Sequence, residues 1–281
     1  MAGTLCITST ILTRRRCSRE GDYEAPSLFT PQNLLREARR QKGLPEGRVP
    51  AICMLDPDGD LVDFLQAAGH ARRHPTWASY HTVLETFVQD ENEYGIIGRV
   101  VDASFATLMA EELFASCCQL LISITSAGQI LPIGQPPYVI LIDKALRDEG
   151  TSYHYLPPAP YSCLDPMLRE MVSARWDHGL VPLYVGASWT TDAPFRETEA
   201  LIAQRRDEGI LAVEMEAAAL YAASQARQYQ IICFAHVTNQ MGQTEGDFEK
   251  GEASGSETAL SVMSQTARAW RQRNMEPTRP F

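Results

Sequence analysis

The chain has 281 residues, 44% of them hydrophobic, with 25 basic and 35 acidic side chains and a net charge of −10. This length allows a sizeable core, in one large domain or two small ones. The negative charge argues against nonspecific nucleic-acid binding, which depends on neutralising phosphates, and no apolar stretch approaches the roughly 20 residues of a membrane helix.

The first 26 residues lack helical or strand periodicity and predict an irregular N-terminal arm. Three arginines at 14–16 follow a short apolar patch, which is the wrong order for a secretory signal. No acidic residue precedes Glu20, so an organelle transit peptide remains an alternative to an arm that contacts a partner.

Alternating helices and strands begin after this arm. "FTPQNLLREARRQ" predicts a helix capped by Thr30, with Pro31 in its first turn. "VPAICML" and "GIIGRVV" predict strands, and "DASFATLMAEELFASCC" predicts a helix capped by Asp102. "QLLISIT" predicts a further strand that breaks at "SAGQ".

The second half continues this alternation. Its strand candidates are "PYVILID", "VPLYVGAS", "ILAV" and "IICFAHVT", and its helix candidates are "ETEALIAQRRDEG", "EMEAAALYAASQARQ" and "ETALSVMSQTARAWRQR". Apolar strands between amphipathic helices are typical of a sheet covered by helices on both sides. The pattern predicts one α/β domain over residues 27–281, a three-layer sandwich with a central mixed sheet.

The cysteines argue against a disulfide or zinc framework, because their number is odd and no CxxC motif occurs. They are Cys6, Cys17, Cys53, Cys117, Cys118, Cys163 and Cys233. We expect a reduced, cytoplasmic protein. The acidic "DPDGD" turn lacks the further spaced carboxylates of a calcium site, so a solvated turn is favoured and no metal is expected.

Polar clusters follow several predicted strands, where ligands bind in such sheets. "TSAGQ" at 125–129 has small residues that would let backbone N–H groups approach an anion or a sugar. Trp189 and Phe195, near Arg196, could stack on and hydrogen-bond a flat heterocycle. Small-residue turns are common, however, and the aromatic residues could equally be core packing beside a surface charge.

Two carboxylates, Glu214 and Glu216, bracket Met215 between an apolar run and an alanine-rich helix. They share a face on an extended segment and diverge by about 200° on a helix. At a strand-to-helix junction, one can line a pocket while the other accepts hydrogen bonds from the helix start. A pocket carboxylate would suit the vicinal diol of a ribose. Alternatively, both are ordinary first-turn acids favoured by the helix dipole.

Four stretches, in this order, resemble the nucleoside phosphorylase family, which includes uridine phosphorylase, bacterial purine nucleoside phosphorylase and methylthioadenosine nucleosidase. They are "LLISITSAGQI", "DEGTSYHYLPP", "VEMEAAALYA" and "HVTNQ". The resemblance spans about residues 50–270. It implies that Glu216 binds the ribose hydroxyls, Met215 packs on the sugar and Glu214 supports them. It also implies that Ser126 and Gly128 lie at the nucleophile.

The chain departs from this family where phosphorylases bind phosphate. Leu55 stands where the family's "GDP" turn has glycine, Gly59 where arginine follows, and Ser123 where a sheet arginine stands. Without these guanidinium groups, a phosphate dianion lacks bidentate partners. The "SAG" segment is more similar to the nucleosidase form, in which water attacks, and Asp58 lies near the position of the water-activating carboxylate.

The base-binding end departs as well. Purine enzymes protonate the leaving base with an aspartate, whereas this chain has Asn239, as uridine phosphorylases do, followed by Gln240 where those have arginine. An amide hydrogen-bonds a base but cannot act as a carboxylic acid. A pyrimidine-like or unusual base is therefore expected, bound by Trp189, Phe195, Arg196 and Gln240, with Asp192 as a substitute acid.

The sequence thus predicts cleavage of a nucleoside N-glycosidic bond, with Asp58, Ser126 and Asn239 as catalytic residues. Hydrolysis is favoured, and a uridine-type phosphorylase and a non-catalytic nucleoside-binding protein are the alternatives. Arg99, Arg196 or an arginine of a neighbouring subunit could rebuild an anion site. No cofactor is expected, apart from phosphate as co-substrate in a phosphorylase. Family resemblance implies a homo-oligomer, a dimer or a hexamer.

Overall fold

The computed structural model describes residues 23–239, 250 and 252–275. Most of the predicted N-terminal arm and Gln240 therefore lie outside the described residues.

The helices are α1 (Pro31–Lys42), α2 (Asp60–Ala67), α3 (Ala103–Ala115), α4 (Pro166–Ala174), α5 (Glu199–Asp207), α6 (Ala217–Arg227) and α7 (Ser256–Met275). The strands are β1 (Ile52–Asp56), β2 (Arg72–Arg73), β3 (Glu85–Gln89), β4 (Asn92–Gly98), β5 (Leu120–Gln129), β6 (Tyr138–Asp148), β7 (Tyr161–Cys163), β8 (Leu183–Thr191), β9 (Ala212–Glu214) and β10 (Ile231–Asn239). Among the described residues, no helix is long and apolar enough to span a membrane.

Both predicted helix caps are confirmed. The Thr30 hydroxyl accepts a hydrogen bond from Asn33 N at 3.2 Å, and the Asp102 carboxylate accepts one from Ser104 N at 2.8 Å. Helix α1 ends at Gly43, whose φ of 64° is the left-handed conformation that glycine adopts without steric cost.

The predicted strands and helices are largely present, but several short elements were missed. These are α2, β2, β3, β7 and α4. Helix α2 has eight residues, about two turns, which give no clear apolar period. The signal for α4 was nevertheless present, because Asp165 accepts bonds from its first amides and Pro166 opens it.

All ten strands form one mixed sheet, in the order β10-β6-β8-β9-β5-β1-β4-β3-β2, with β7 beside β6. The mixed α/β fold with a central sheet is as predicted. Strand β10 also pairs with β5, so β5, β10, β6, β8 and β9 close into a ring. Helices α1, α3 and α6 pack in one group, and α2, α4 and α7 pack in another.

The predicted break at "SAGQ" is wrong, because β5 continues to Gln129. Gly128 lies opposite Val213 of β9 on one side and opposite Asn239 of β10 on the other. Pairing on both edges keeps this small-residue segment extended. The helix predicted from Glu214 instead begins at Ala217, so the two glutamates precede it.

The segment after β6 folds around a buried arginine. Arg147 is 3% exposed, and its guanidinium donates to Ser152 Oγ at 2.8 Å, Pro157 O at 2.7 Å and Leu156 O at 3.1 Å. The guanidinium also lies 4.2 Å from the centre of the Tyr153 ring. Burial lowers the pKa of Arg147. This side chain therefore holds the "DEGTSYHYLPP" segment in place.

Arg147→Met is expected to lower the free energy of unfolding by about 2–4 kcal/mol, because it leaves two carbonyls and a hydroxyl without their donor. Chemical denaturation would measure the loss. Arg268→Met, at an exposed position of α7, is the control and should change stability by less than about 0.5 kcal/mol. Equal effects of the two substitutions would contradict this role of Arg147.

Candidate active site

The Glu214 carboxylate binds the start of α6. It is 3% exposed and accepts hydrogen bonds from Glu216 N and Ala217 N, both at 2.7 Å. It also accepts bonds from Ser188 Oγ at 2.9 Å and Thr190 Oγ1 at 2.5 Å. Amides in the first turn of a helix have no intrahelical acceptor. Glu214 supplies one and joins the end of β8 to the helix.

The Glu216 carboxylate has different partners from the Glu214 carboxylate. Glu216 is 2% exposed, and its Oε1 accepts a hydrogen bond from Asp102 N at 2.9 Å. The Thr125 hydroxyl is a further neighbour that favours the ionised form. Burial first, and the charge of Glu214 second, raise the pKa of Glu216. The end of β5, the start of α3 and the β9–α6 junction therefore meet at this carboxylate.

The backbone of Asp102 is shaped for this contact. Its φ of 91° is unusual for a residue other than glycine, and it directs the amide toward Glu216 while the side chain caps α3. The alternative of two ordinary first-turn acids does not fit this geometry, because both glutamates are buried and have different partners. Met215, partly exposed, lies between them. The ribose-binding role of Glu216 and Met215 stays a prediction.

The predicted nucleophile residues are in contact. Ser126 N donates a hydrogen bond to Asp58 Oδ2 at 2.9 Å, which joins β5 to the turn before α2. Lys250 Nζ lies 3.4 Å from Asp58 Oδ2 and 2.5 Å from Asp60 Oδ2. Thr125, next to Ser126, is also the neighbour of Glu216. Asp58 and Glu216 therefore both contact the Thr125–Ser126 segment.

Asp58 and the Thr125–Ser126 segment border a small cavity with a volume of about 20 Å³. Its polar lining includes Asp56, Asp58, Asp60, Thr125, Ser126, His236, Lys250, Ser254 and Ser256. Burial raises the pKa of Asp56 to about 6, and the charges of Asp58 and Asp60 add to this shift. The cavity is therefore rich in carboxylates, with one lysine beside them.

The residues at or near the positions where the family binds phosphate make other contacts here. Arg99 Nη2 donates to both carboxylate oxygens of Asp63, at 2.6 and 2.7 Å. Gly59 has a φ of 88°, and a Cβ atom there would lie 2.8 Å from Arg99 Cγ. Ser123 is 1% exposed, and its hydroxyl has no partner among the described residues. Arg99 is therefore engaged in an ion pair.

The predicted base-binding residues are only partly brought together. Trp189, Asp192 and Arg196 border a cavity of about 420 Å³ at the end of β8. Trp189 itself is 1% exposed and donates to Asp148 Oδ2 at 3.1 Å, which agrees with the alternative of a core residue. Phe195 is 99% exposed, so it does not pair with Trp189 over a shared pocket. Their roles in base binding stay predictions.

Asn239 lies at the same end of the sheet. It is 7% exposed, with Nδ2 3.4 Å from Thr238 Oγ1. Asn239, Gly128, Val213 and Trp189 are successive neighbours across β10, β5, β9 and β8. This row places a predicted catalytic residue, a predicted ribose-site glycine and a predicted base-site residue side by side.

Sequence reasoning missed three contributors to the site, namely Thr125, His236 and Lys250. Thr125 had a signal, because it precedes the predicted Ser126. Lys250 had none that we can identify, since its partners lie about 190 positions earlier in the chain. His236 lay in an apolar strand, where its side chain could be placed only once the neighbouring strands were known.

Comparison with known proteins identifies the family of the chain. Residues 93–268 match the profile of the phosphorylase superfamily, more than half of the 281-residue chain. The profile and the fold together define an enzyme that cleaves the N-glycosidic bond of a nucleoside, either a nucleosidase or a phosphorylase. The chain belongs to the phosphorylase superfamily.

Solved structures of the same fold include uridine phosphorylase from Vibrio fischeri ES114. Its complex with 6-hydroxy-1-naphthoic acid matches with a TM-score of 0.68 and 18% identity, over 82% of this chain and 98% of that chain. A second structure of that protein matches with a TM-score of 0.67 and 20% identity, over 80% and 95%. A comparison with curated protein sequences finds no match.

Proposed function

We propose that the chain is a nucleoside N-ribohydrolase, in which water attacks the sugar. The observation that carries this proposal is the hydrogen bond from Ser126 N to Asp58 Oδ2 at 2.9 Å. A phosphate ion at this strand end would need that amide as a donor. Here the carboxylate of Asp58 occupies the amide, and its negative charge would repel a dianion.

Charge and volume support the same proposal. Among the described residues that border the cavity, three are carboxylates, and the lysine is already paired with Asp58 and Asp60. A volume of about 20 Å³ suits one water molecule, which needs roughly 10–15 Å³ and two to four polar partners. Arg99, one of the predicted anion ligands, is paired with Asp63.

In the proposed reaction, Glu216 accepts hydrogen bonds from the ribose hydroxyls and Met215 packs on the sugar. The N-glycosidic bond breaks, and its electron pair passes to the base nitrogen. The oxygen of water bonds to C1′ of the oxocarbenium-like sugar, while Asp58 takes one of its protons. Charge that develops on the base is stabilised by Arg196 and Asn239.

We infer a pyrimidine-like or unusual base, because an amide at position 239 cannot donate a proton as a carboxylic acid does. Asp192 is the candidate for a substitute acid at the end of β8. Its Oδ2 accepts a hydrogen bond from Gly150 N at 2.9 Å, which fixes the carboxylate beside Arg196 at the same cavity.

The sugar product distinguishes hydrolysis from phosphorolysis. In phosphate-free buffer we expect the enzyme to release free ribose from its nucleoside substrate, at a rate that added phosphate does not increase. Chromatography of the sugar products would separate ribose from ribose 1-phosphate. Strict dependence on phosphate, with ribose 1-phosphate as product, would establish a phosphorylase instead.

Asp58→Asn is expected to lower kcat by about 100- to 1000-fold, because the amide cannot accept the proton from water. Steady-state assays with a nucleoside panel would measure the change. Asp90→Asn is the matched control, since Asp90 is exposed and lies in the turn between β3 and β4. An Asp58→Asn enzyme with the activity of this control would exclude Asp58 as the base.

A further inference from the structure

His236 borders the cavity that contains Asp58, and one of its ring nitrogens is buried without a partner among the described residues. The residue lies on β10, is 6% exposed, and lines the cavity together with Ser126 and Lys250. Its Nε2 has no hydrogen-bond partner among the residues that the structure describes. Burial of a polar atom without a partner is costly, so native proteins usually provide a protein group, a water molecule or a ligand for it.

We propose that His236 Nε2 accepts a hydrogen bond from the attacking water and is a catalytic residue of the hydrolysis. The proposal rests on the proposed function and adds a second acceptor for the water. The cavity of about 20 Å³ admits one water. One O–H of that water would point to Asp58 and the other to His236, which directs an oxygen lone pair toward the sugar.

The charges around the imidazole keep it neutral. Burial first, and the charge of Lys250 second, lower its pKa to about 4, against the opposing effect of Asp58. Asp56 and Asp60 are the other ionisable side chains of the cavity. A neutral imidazole retains one acceptor nitrogen. His236 therefore remains an acceptor for the water at neutral pH.

Gly255, just before α7, fixes the ring in this position. It has a φ of 78°, and a Cβ atom there would lie 2.6 Å from His236 Cε1 and 3.0 Å from Nδ1. Only glycine lets the chain pass this close to the imidazole. The close packing leaves the ring little freedom to turn away from the cavity, so its orientation is set before substrate binds.

The test compares three substitutions of His236 in the full-length enzyme. Phenylalanine keeps a ring but has no acceptor, glutamine keeps an acceptor, and alanine opens the cavity. We expect His236→Phe to lower kcat by about 100-fold, the lower end of the range for loss of one well-placed hydrogen-bonding group, and His236→Gln to recover at least about tenfold of that loss. His178→Ala, at an exposed position after α4, is the control.

Competition between nucleophiles gives a second readout, which reports whether His236 lies beside the attacking nucleophile. In water–methanol mixtures, His236→Ala should form several times more methyl riboside relative to ribose than the wild type, because the enlarged cavity admits methanol. An unchanged product ratio in a folded alanine variant overturns the proposal. If the alanine variant does not fold, the other two decide, and equal rates of His236→Phe and His236→Gln overturn it.

Failure of the proposed hydrolysis would give a different result from failure of the proposed role of His236. A wild-type enzyme that releases no ribose without phosphate contradicts hydrolysis itself, before any substitution of His236 is made. A wild type that hydrolyses nucleosides, together with His236 variants of normal rate and normal product ratio, contradicts only the role of His236.

Discussion

Glu216→Gln should lower kcat/KM for nucleoside cleavage by about 100- to 1000-fold, the loss that follows removal of one well-placed polar group. The amide presents one acceptor oxygen in place of two, so it can accept fewer hydrogen bonds from the ribose hydroxyls. The remaining oxygen can still accept the bond from Asp102 N, so the fold should be retained. Steady-state kinetics with the best nucleoside substrate would measure the effect.

Two controls accompany this prediction. Glu170→Gln, on the exposed side of α4, should leave kcat/KM unchanged. Circular dichroism and denaturation should show that Glu216→Gln is folded. A folded Glu216→Gln enzyme with wild-type kcat/KM would mean that the ribose is bound elsewhere.

The same substitution should change how stability depends on pH. The pKa of Glu216 is raised from 4.5 in the folded state, by burial first and by Glu214 second. The folded state therefore holds this proton more tightly than the unfolded chain does. Its contribution to stability is fully present below pH 4.5 and is lost as the pH rises through the raised pKa. Glu216→Gln should lose less stability over that range in denaturation curves, and a slope equal to that of the wild type would contradict this.

Glu214→Ala should lower the free energy of unfolding by about 3–5 kcal/mol, because four donors lose their common acceptor inside the protein. Two of these donors are the backbone amides of Glu216 and Ala217, and two are the hydroxyls of Ser188 and Thr190. The loss would be measured by urea denaturation at neutral pH.

The control for Glu214→Ala is Glu199→Ala. Glu199 is exposed in the first turn of α5, so its replacement should cost less than about 1 kcal/mol, through the helix dipole alone. Similar losses for the two substitutions would mean that Glu214 is an ordinary first-turn acid. The structure gives no reason to expect that result, since Glu214 is buried and Glu199 is not.

Much of the fold could be predicted from local patterns in the sequence. Thr30 and Asp102 predict the starts of the helices that they cap, because a capping hydrogen bond joins residues two or three positions apart. The pair Glu214 and Glu216 was readable for the same reason. Its two roles depend on a strand that ends where a helix begins.

Long-range geometry was not readable in this way. Nothing near Ser126 indicates that β9 and β10 pair on both sides of its strand, so its segment was taken for a turn. Lys250 reaches Asp58 and Asp60 only through the folded arrangement of α2 and α7. Trp189 could not be assigned to core or pocket, because an aromatic side chain suits both and the choice depends on neighbours from distant parts of the chain.

At both ends of the strand order, the sheet offers little unpaired backbone to a strand of a second molecule. At one end, β10 hydrogen-bonds back onto β5, so that terminus of the strand order offers no unpaired row of amides and carbonyls. At the other end lies β2, which is only two residues long and consists of the exposed arginines 72 and 73. Short, charged border strands discourage a second molecule from extending a sheet. Strand addition at these two borders is therefore disfavoured.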